Sequence, residues 1–248
     1  MVIPDSHANP LYSNERFDWL GEFIKDIKPD VVINLGDGAD MASLCSYDKG
    51  KKGFHGRTYQ RDIDSFLESQ DRLWSPIRRT KKKLPESYYF IGNHEQRISR
   101  AIDLSPELEG TISIDNLNLR EWYDEVVPYD GATPGVSCVD GIHYAHFFVS
   151  GVLGRAISGE HPAYSLVTKR LVSSTCGHLH VADYTIRTNG DGLKVHGLFA
   201  GVYQDYRSDY AGAANDLWWS GVILKRGVAN GNYDVEFISL KRLKDAYT

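Results

Sequence analysis

An α/β fold is the class this sequence predicts, and three features point to it. Val2-Ile3, a helix-spaced segment and the apolar run Val31-Val32-Ile33-Asn34-Leu35 follow one another in the order of a β-α-β unit. Two further strand-like runs, Tyr88-Tyr89-Phe90-Ile91 and Val172-Ser173-Ser174-Thr175-Cys176, stop at glycine-bearing polar clusters. Beyond residue 136 the texture turns to β, with Asp140-Gly141 and Asn230-Gly231 marking turns.

Length and composition suit one large domain. The chain has 248 residues, enough for a well-buried core without a second domain, and its 42% hydrophobic and 25% charged content is that of a globular protein, not a disordered one. A net charge of -5 argues against coating duplex DNA through bulk positive charge, so any nucleic-acid contact has to be local. Three cysteines, odd in number and far apart, provide neither a disulfide framework nor a CxxC zinc site and suit a reducing cytoplasm. No apolar run is long enough for a membrane span, and Met1-Val2-Ile3-Pro4-Asp5 lacks a signal-peptide pattern. A soluble, cytoplasmic protein with no membrane association and no obligate protein partner is the expectation.

Taken in order, Val2-Ile3 is a strand stopped by Pro4, and Ser13 offers an N-cap to a helix carrying Phe17, Leu20, Phe23, Ile24 and Ile27. After the second strand, residues 41–57 read as an irregular insertion with Lys49, Lys51, Lys52, His55 and Arg57; such basic loops can grip phosphate but are more often simply solvated. A longer helix with Ile63, Phe66, Leu67, Leu73 and Trp74 ends in the basic run of residues 78–83, read as a solvated helix end. Helices are expected over residues 96–104, 117–123 and 162–171, and strands over 136–139, 142–146, 172–176, 184–187, 195–200, 218–224 and 233–240. Residues 241–248 read as a fringe helix or a frayed end.

The strand ends carry the chemistry. Asp5-Ser6-His7 follows the first strand, and Gly36-Asp37-Gly38-Ala39-Asp40 the second, where open α/β sheets bind ligands. Gly92-Asn93-His94-Glu95 and Gly177-His178-Leu179-His180 follow two others. Aspartate and histidine are metal ligands, yet Asp-x-His alone is better explained by an Asx turn with an exposed histidine. His143 and His146 stand three residues apart on one strand, hence on opposite faces, so only one can reach a common site.

In this order the five clusters resemble the calcineurin-like metallophosphoesterase superfamily, over residues 1 to about 200. The resemblance implies a single domain over residues 1–248, a four-layer β-sandwich of two mixed sheets flanked by helices, and two divalent metal ions. Manganese is the first choice, with iron, zinc or magnesium as alternatives. By the same resemblance Asp5, His7 and His180 hold the first ion, Asn93, His178 and a strand-end histidine the second, and Asp37 bridges them. His146 is taken as that histidine with His143 in reserve, although Phe147 follows where the family often has glycine. His94 would face the leaving group, oriented by Asp40. The first strand is shorter than the family's usual one.

Asp40 is followed by Met41-Ala42 where the family's serine/threonine phosphatases have Arg-Gly, which disfavours that branch. Val2-Ile3-Pro4-Asp5-x-His7 with Gly92-Asn93-His94-Glu95-Gln96-Arg97 is similar to phage and prophage phosphoesterases. A phosphodiesterase acting on DNA, another nucleic acid or nucleotides is therefore expected, with a phosphomonoesterase as the alternative and a catalytically retired scaffold as a third reading. Such a scaffold usually loses ligands, and here every one has a candidate. Arg97 and Arg207 are candidate phosphate contacts. Tyr203, Tyr206, Tyr210, Trp218 and Trp219 could stack bases, although such residues more often pack a core.

Overall fold

The computed structural model describes residues 1–80 and 83–248; Lys81 and Lys82 of the second basic run lie outside the described residues. The strands are β1 (Val2–Ile3), β2 (Val31–Asn34), β3 (Glu86–Phe90), β4 (Glu125–Val127), β5 (Tyr129–Asp130), β6 (Thr133–Pro134), β7 (Ser137–Val139), β8 (Ile142–Tyr144), β9 (Val149–Ser150), β10 (Arg155–Ala156), β11 (Ser174–Cys176), β12 (Ala182–Thr188), β13 (Lys194–Ala200), β14 (Gly221–Ala229) and β15 (Asn232–Ser239). The helices are α1 (Arg16–Ile27), α2 (Tyr59–Arg78), α3 (Gln96–Leu104), α4 (Leu119–Trp122), α5 (Pro162–Arg170) and α6 (Leu240–Tyr247).

Besides the two-stranded pairs β5-β6 and β9-β10, the expected α/β class is present as two large mixed sheets with helices against them. One runs β15-β14-β1-β2-β3-β4, the other β12-β13-β11-β8-β7. Strands β1 to β4 are parallel, as are β8, β11 and β13, with antiparallel strands on their flanks. Alternation along each strand divides the core. Val2, Ile33 and Phe90 join Ile142, Leu198 and Ala200 of the second sheet in one buried cluster, which is the layer between the sheets. Their neighbours Ile3, Val32 and Tyr89 turn the other way, onto Leu20 of α1 and Phe66 and Leu73 of α2. Ala163 and Leu166 of α5 cover Cys176 and Phe199 on the second sheet.

Local structure departs from the sequence reading mainly at element ends: β8 stops at Tyr144, β11 starts only at Ser174, and the helix expected over 117–123 is shorter, Leu119–Trp122. Ser13 is not the cap of α1: its hydroxyl accepts from Glu15 N–H, two residues on, and the helix starts at Arg16. Helix α5 stops one residue early because Leu171 turns left-handed at φ 58°. Trp218 and Trp219 precede β14 instead of opening it. Of the two readings of the tail the helix is the one present: residues 240–247 are capped by Ser239, which accepts from Arg242 N–H, and Leu243 is buried. Asp140-Gly141 and Asn230-Gly231 have positive φ at both residues, as a type I′ turn demands. No helix among the described residues is long and apolar enough to cross a membrane.

Candidate metal centre

Five loops converge at the carboxyl ends of β1, β2, β3, β8 and β11. The first two are tied together: His7 N–H donates to Asp37 O at 2.9 Å and Ala8 N–H to Gly38 O at 2.7 Å. His146, just beyond β8, joins the sheets through Nδ1, 2.9 Å from Leu35 O. Gly177 N–H donates to His146 O at 3.0 Å, which brings in the loop after β11.

Close approach of backbone to carboxylate explains two glycines. A Cβ on Gly92 would lie 2.1 Å from Asp37 Oδ1, and one on Gly177 would lie 2.1 Å from Asp5 Oδ1. Those oxygens accept backbone N–H groups instead, Asp37 Oδ1 from His94 at 2.8 Å and Asp5 Oδ1 from His178 at 3.1 Å. His7, Asp37, His178 and His180 all have φ between 43° and 70°, a left-handed conformation that non-glycine residues adopt at a cost and that clusters at functional sites. Gly177→Ala should push the Asp5 carboxylate out of place. The expected outcome is bound metal reduced well below wild type in elemental analysis of a folded protein; unchanged content would show that the loop yields instead.

Three overlapping groups of side-chain donors could hold a metal ion: Asp5, His7 and His180; Asp37, His146 and His178; and His7, Asp37 and His94. His7 Nε2 and His180 Nε2 are 3.1 Å apart, and Asp5 Oδ2 is 3.2 Å from His180 Nε2. His146 Nε2 is 2.9 Å from Asn93 Oδ1 and 3.3 Å from Asp37 Oδ2. A neutral His146 uses its only proton on Leu35 O, so its Nε2 lone pair meets two oxygen acceptors. Such convergence of lone pairs is stable only around a proton or a cation. Without a metal a proton on Nε2 meets that need; the same donor set fits a metal in its place, and oxygen mixed with imidazole nitrogen suits manganese, iron or zinc better than calcium.

Burial and charge set the protonation of these groups. Burial, with the neighbouring His94 and His180, lowers His7 to about 3; burial, with His146, lowers His178 to about 4, so both rings are neutral as ligands must be. Burial also works against charge on His146, but Asp37 and Asp5 override it and raise that ring to about 10. Burial opposes ionisation of Asp37, yet His146 and His94 hold its carboxyl well below the usual range.

His94 sits beside this cluster with Nδ1 2.8 Å from Asp40 O and 3.1 Å from Asp40 Oδ1, and Nε2 3.7 Å from Asp37 Oδ2. Burial disfavours its protonated form, but Asp37 and then the Asp40 hydrogen bond outweigh both burial and the nearby Arg97, raising its pKa. Arg97 is partly committed: Nη1 donates to Asp40 O at 2.8 Å and Nη2 lies 3.0 Å from His94 Nε2. A cavity of about 310 Å³ opens from His94, Asp40 and Arg97 toward the 41–57 loop. Arg207 is elsewhere, exposed and paired with Asp216 at 2.6 Å, and does not line this cavity.

Of the two histidines near β8, His146 is fully buried in the cluster, whereas His143 faces Arg170 with Nδ1 3.1 Å from Nη2. The strand ends at Tyr144, so His146 is placed by the following loop and its bond to Leu35, not by strand alternation. The aromatic group divides: Tyr203 is core, Trp218 stands edge-on to His180 at 4.3 Å, and Tyr206 donates to His7 O at 2.7 Å. Of the basic loop, Arg57 and Lys51 pair with Asp48.

Two residues support the cluster from behind: Glu95, which the sequence leaves open between orienting Asn93 or His94 and opening the next helix, and Arg16, which the sequence reading misses. Glu95 is fully buried; Oε2 accepts from Gly92 N–H at 2.8 Å and Asp37 N–H at 3.0 Å, while Oε1 accepts from Ala39 N–H and the Tyr89 hydroxyl, each at 2.9 Å. Arg16, also fully buried, donates to Ser6 O at 2.8 Å, Ser13 O at 2.7 Å and Tyr203 O at 3.2 Å, holding the Asp5–His7 loop from behind. The only signal for Arg16 in the sequence is a cation on the apolar side of a helix. Neither the known family models nor the curated proteins match this chain.

Proposed function

We propose that this chain is a dinuclear-metal-dependent phosphodiesterase of the calcineurin-like metallophosphoesterase type, acting on nucleic acid or nucleotides. The observation that carries the reading is the convergence of Asp5, His7 and His180 beside Asp37, His146 and His178, with Asn93 Oδ1 at the second group and His94 next to both. The two mixed sheets with helices on their outer faces are compatible with that superfamily's four-layer sandwich.

When bound, a pair of divalent ions supplies Lewis acidity to a phosphate and lowers the pKa of a water. The chain's own residues do the rest. Asp37 belongs to the second ligand group and shares the third with His7 of the first, which supports a bridging role, and Glu95 holds its backbone. Asp40 fixes the His94 ring, and Arg97 adds positive charge beside it for a substrate phosphate. Hydrolysis adds one water: its oxygen forms the new bond to phosphorus, the bond to the leaving oxygen breaks, and the leaving oxygen gains a proton. His94, raised in pKa by Asp37 and Asp40 against the effect of burial, is the group that would donate that proton from Nε2, once Arg97, whose Nη2 is 3.0 Å from that nitrogen, turns to the substrate phosphate.

The test is purified protein loaded with Mn²⁺, assayed against bis-p-nitrophenyl phosphate, p-nitrophenyl phosphate, DNA, RNA and cyclic nucleotides, with Asp37→Asn as control. Turnover of diesters, lost in the control, is expected; turnover of the monoester alone would overturn the assignment. Chelation provides a readout independent of turnover. With metal at about a hundred times its dissociation constant, binding stabilises by about 2.7 kcal/mol, which for a chain of this size is a Tm difference of about 5–11 °C between loaded and chelated protein. Identical melting curves would mean that no metal is held.

A further inference from the structure

The cavity that opens from His94 has one wall that the catalytic reading leaves unused. Tyr12 and Tyr206 stack there face to face, ring centroids 3.7 Å apart and planes within 7°. The Arg16 guanidinium also lies over the Tyr206 ring, 5.5 Å from its centroid. Arg16, Tyr206 and Tyr12 thus form one packed group. Its inner end is buried, and no ring or cation among the described residues covers the outer face of Tyr12, which is 38% exposed.

Tyr12 is also held in register with the catalytic groups. Its N–H donates to Asn9 O at 3.0 Å, and the Asn9 amide donates in turn to Asp40 Oδ2. Tyr206 donates its hydroxyl to His7 O. A planar group added to the stack would therefore share one cavity with His94, the group read as facing the leaving oxygen. The cavity, about 310 Å³, is at the small end of ligand sites. Its walls carry three cations, Lys51, Arg57 and Arg97, against three carboxylates, Asp40, Asp48 and Asp209. Two of those cations already pair with Asp48. A wall so balanced suits a neutral occupant and offers little to a run of additional phosphates.

We propose that Tyr12 is the stacking platform for the nucleobase of a leaving nucleoside, and that the substrate is a short nucleotide diester, such as a dinucleotide, in preference to a long polynucleotide. The inference rests on the phosphodiesterase reading for its chemistry, but the platform can be tested apart from it. Base–aromatic stacking is worth about 1–3 kcal/mol by alanine substitution, which corresponds to a change of about 5- to 150-fold in affinity.

The probe is adenosine, the leaving half of a diester without its phosphate. Calorimetric titration into the metal-free protein should show binding to wild type, weakening by about 5- to 150-fold in Tyr12→Ala. Tyr12→Phe, which keeps the ring, should restore it to within about threefold. In the Mn²⁺-loaded protein, adenosine should inhibit bis-p-nitrophenyl phosphate turnover competitively with the same ranking. Inhibition by inorganic phosphate should not move. Absence of adenosine binding to wild type, or equal binding to Tyr12→Ala, overturns the platform even when diesters are hydrolysed. A lower KM for a long single strand than for a dinucleotide overturns the preference for short substrates. Loss of turnover on every diester, with adenosine bound through Tyr12, would sink the phosphodiesterase reading and leave the platform standing.

Discussion

Replacement of His94 by asparagine is expected to cut diester turnover by roughly 10²–10⁴-fold while both metal positions stay filled, the range for loss of a positioned acid–base group. The geometry separates this effect from a metal defect. His94 belongs to neither the Asp5–His7–His180 group nor the Asp37–His146–His178 group, and its Nδ1 is engaged by Asp40. It does appear in a third group with His7 and Asp37, with Nε2 3.7 Å from Asp37 Oδ2. Elemental analysis beside the rate therefore decides its role. Slow turnover with full metal content is the expected pair of results, loss of metal would make His94 a ligand, and near-normal turnover would remove it from the mechanism. The same loss should be smaller with bis-p-nitrophenyl phosphate than with a dinucleotide, because nitrophenolate leaves readily without a proton whereas an alkoxide does not.

Glu95→Ala should be the most destabilising change at the site. Three backbone N–H groups, those of Asp37, Ala39 and Gly92, and the Tyr89 hydroxyl donate to this buried carboxylate. Removing the acceptor strands four buried donors, each costing about 1–3 kcal/mol if left unpaired, with incomplete additivity as water enters. A total of about 3–5 kcal/mol is expected, or about 6–20 °C in Tm for a chain of this size. Glu95→Gln should lose less, since its remaining oxygen still accepts. The loop carrying Asp37 and the loop carrying Asn93 are clamped by the same carboxylate, so metal affinity should fall with stability. A Tm within about 2 °C of wild type for Glu95→Ala would show that the clamp is dispensable.

The candidate ligands were legible in the sequence because each is local to a strand end. Glycine, a short apolar run and one or two of Asp, Asn or His sit within a few residues, and that spacing survives whatever the rest of the chain does. The β-α-β opening and the hairpin at Asp140-Gly141 were legible for the same reason, since hydrophobic period and turn residues act over short range.

What the sequence by itself determined is therefore the inventory: an α/β chain with Asp5, His7, Asp37, Asn93, His178 and His180 at strand ends. Tertiary structure alone decided how that inventory is used. It chose His146 over His143, because β8 ends at Tyr144 and the next loop bonds to Leu35, 111 residues away in the chain. It made Glu95 a clamp for donors as far away as Asp37, and left Arg207 paired with Asp216 outside the cavity beside His94. It also set Tyr12 on Tyr206, nearly two hundred positions later, and opened its free face beside His94. The physical reason is range: turn chemistry and hydrophobic period are written within a few residues, whereas the partners of a buried carboxylate, imidazole or ring come from strands that meet only when the sheets pack.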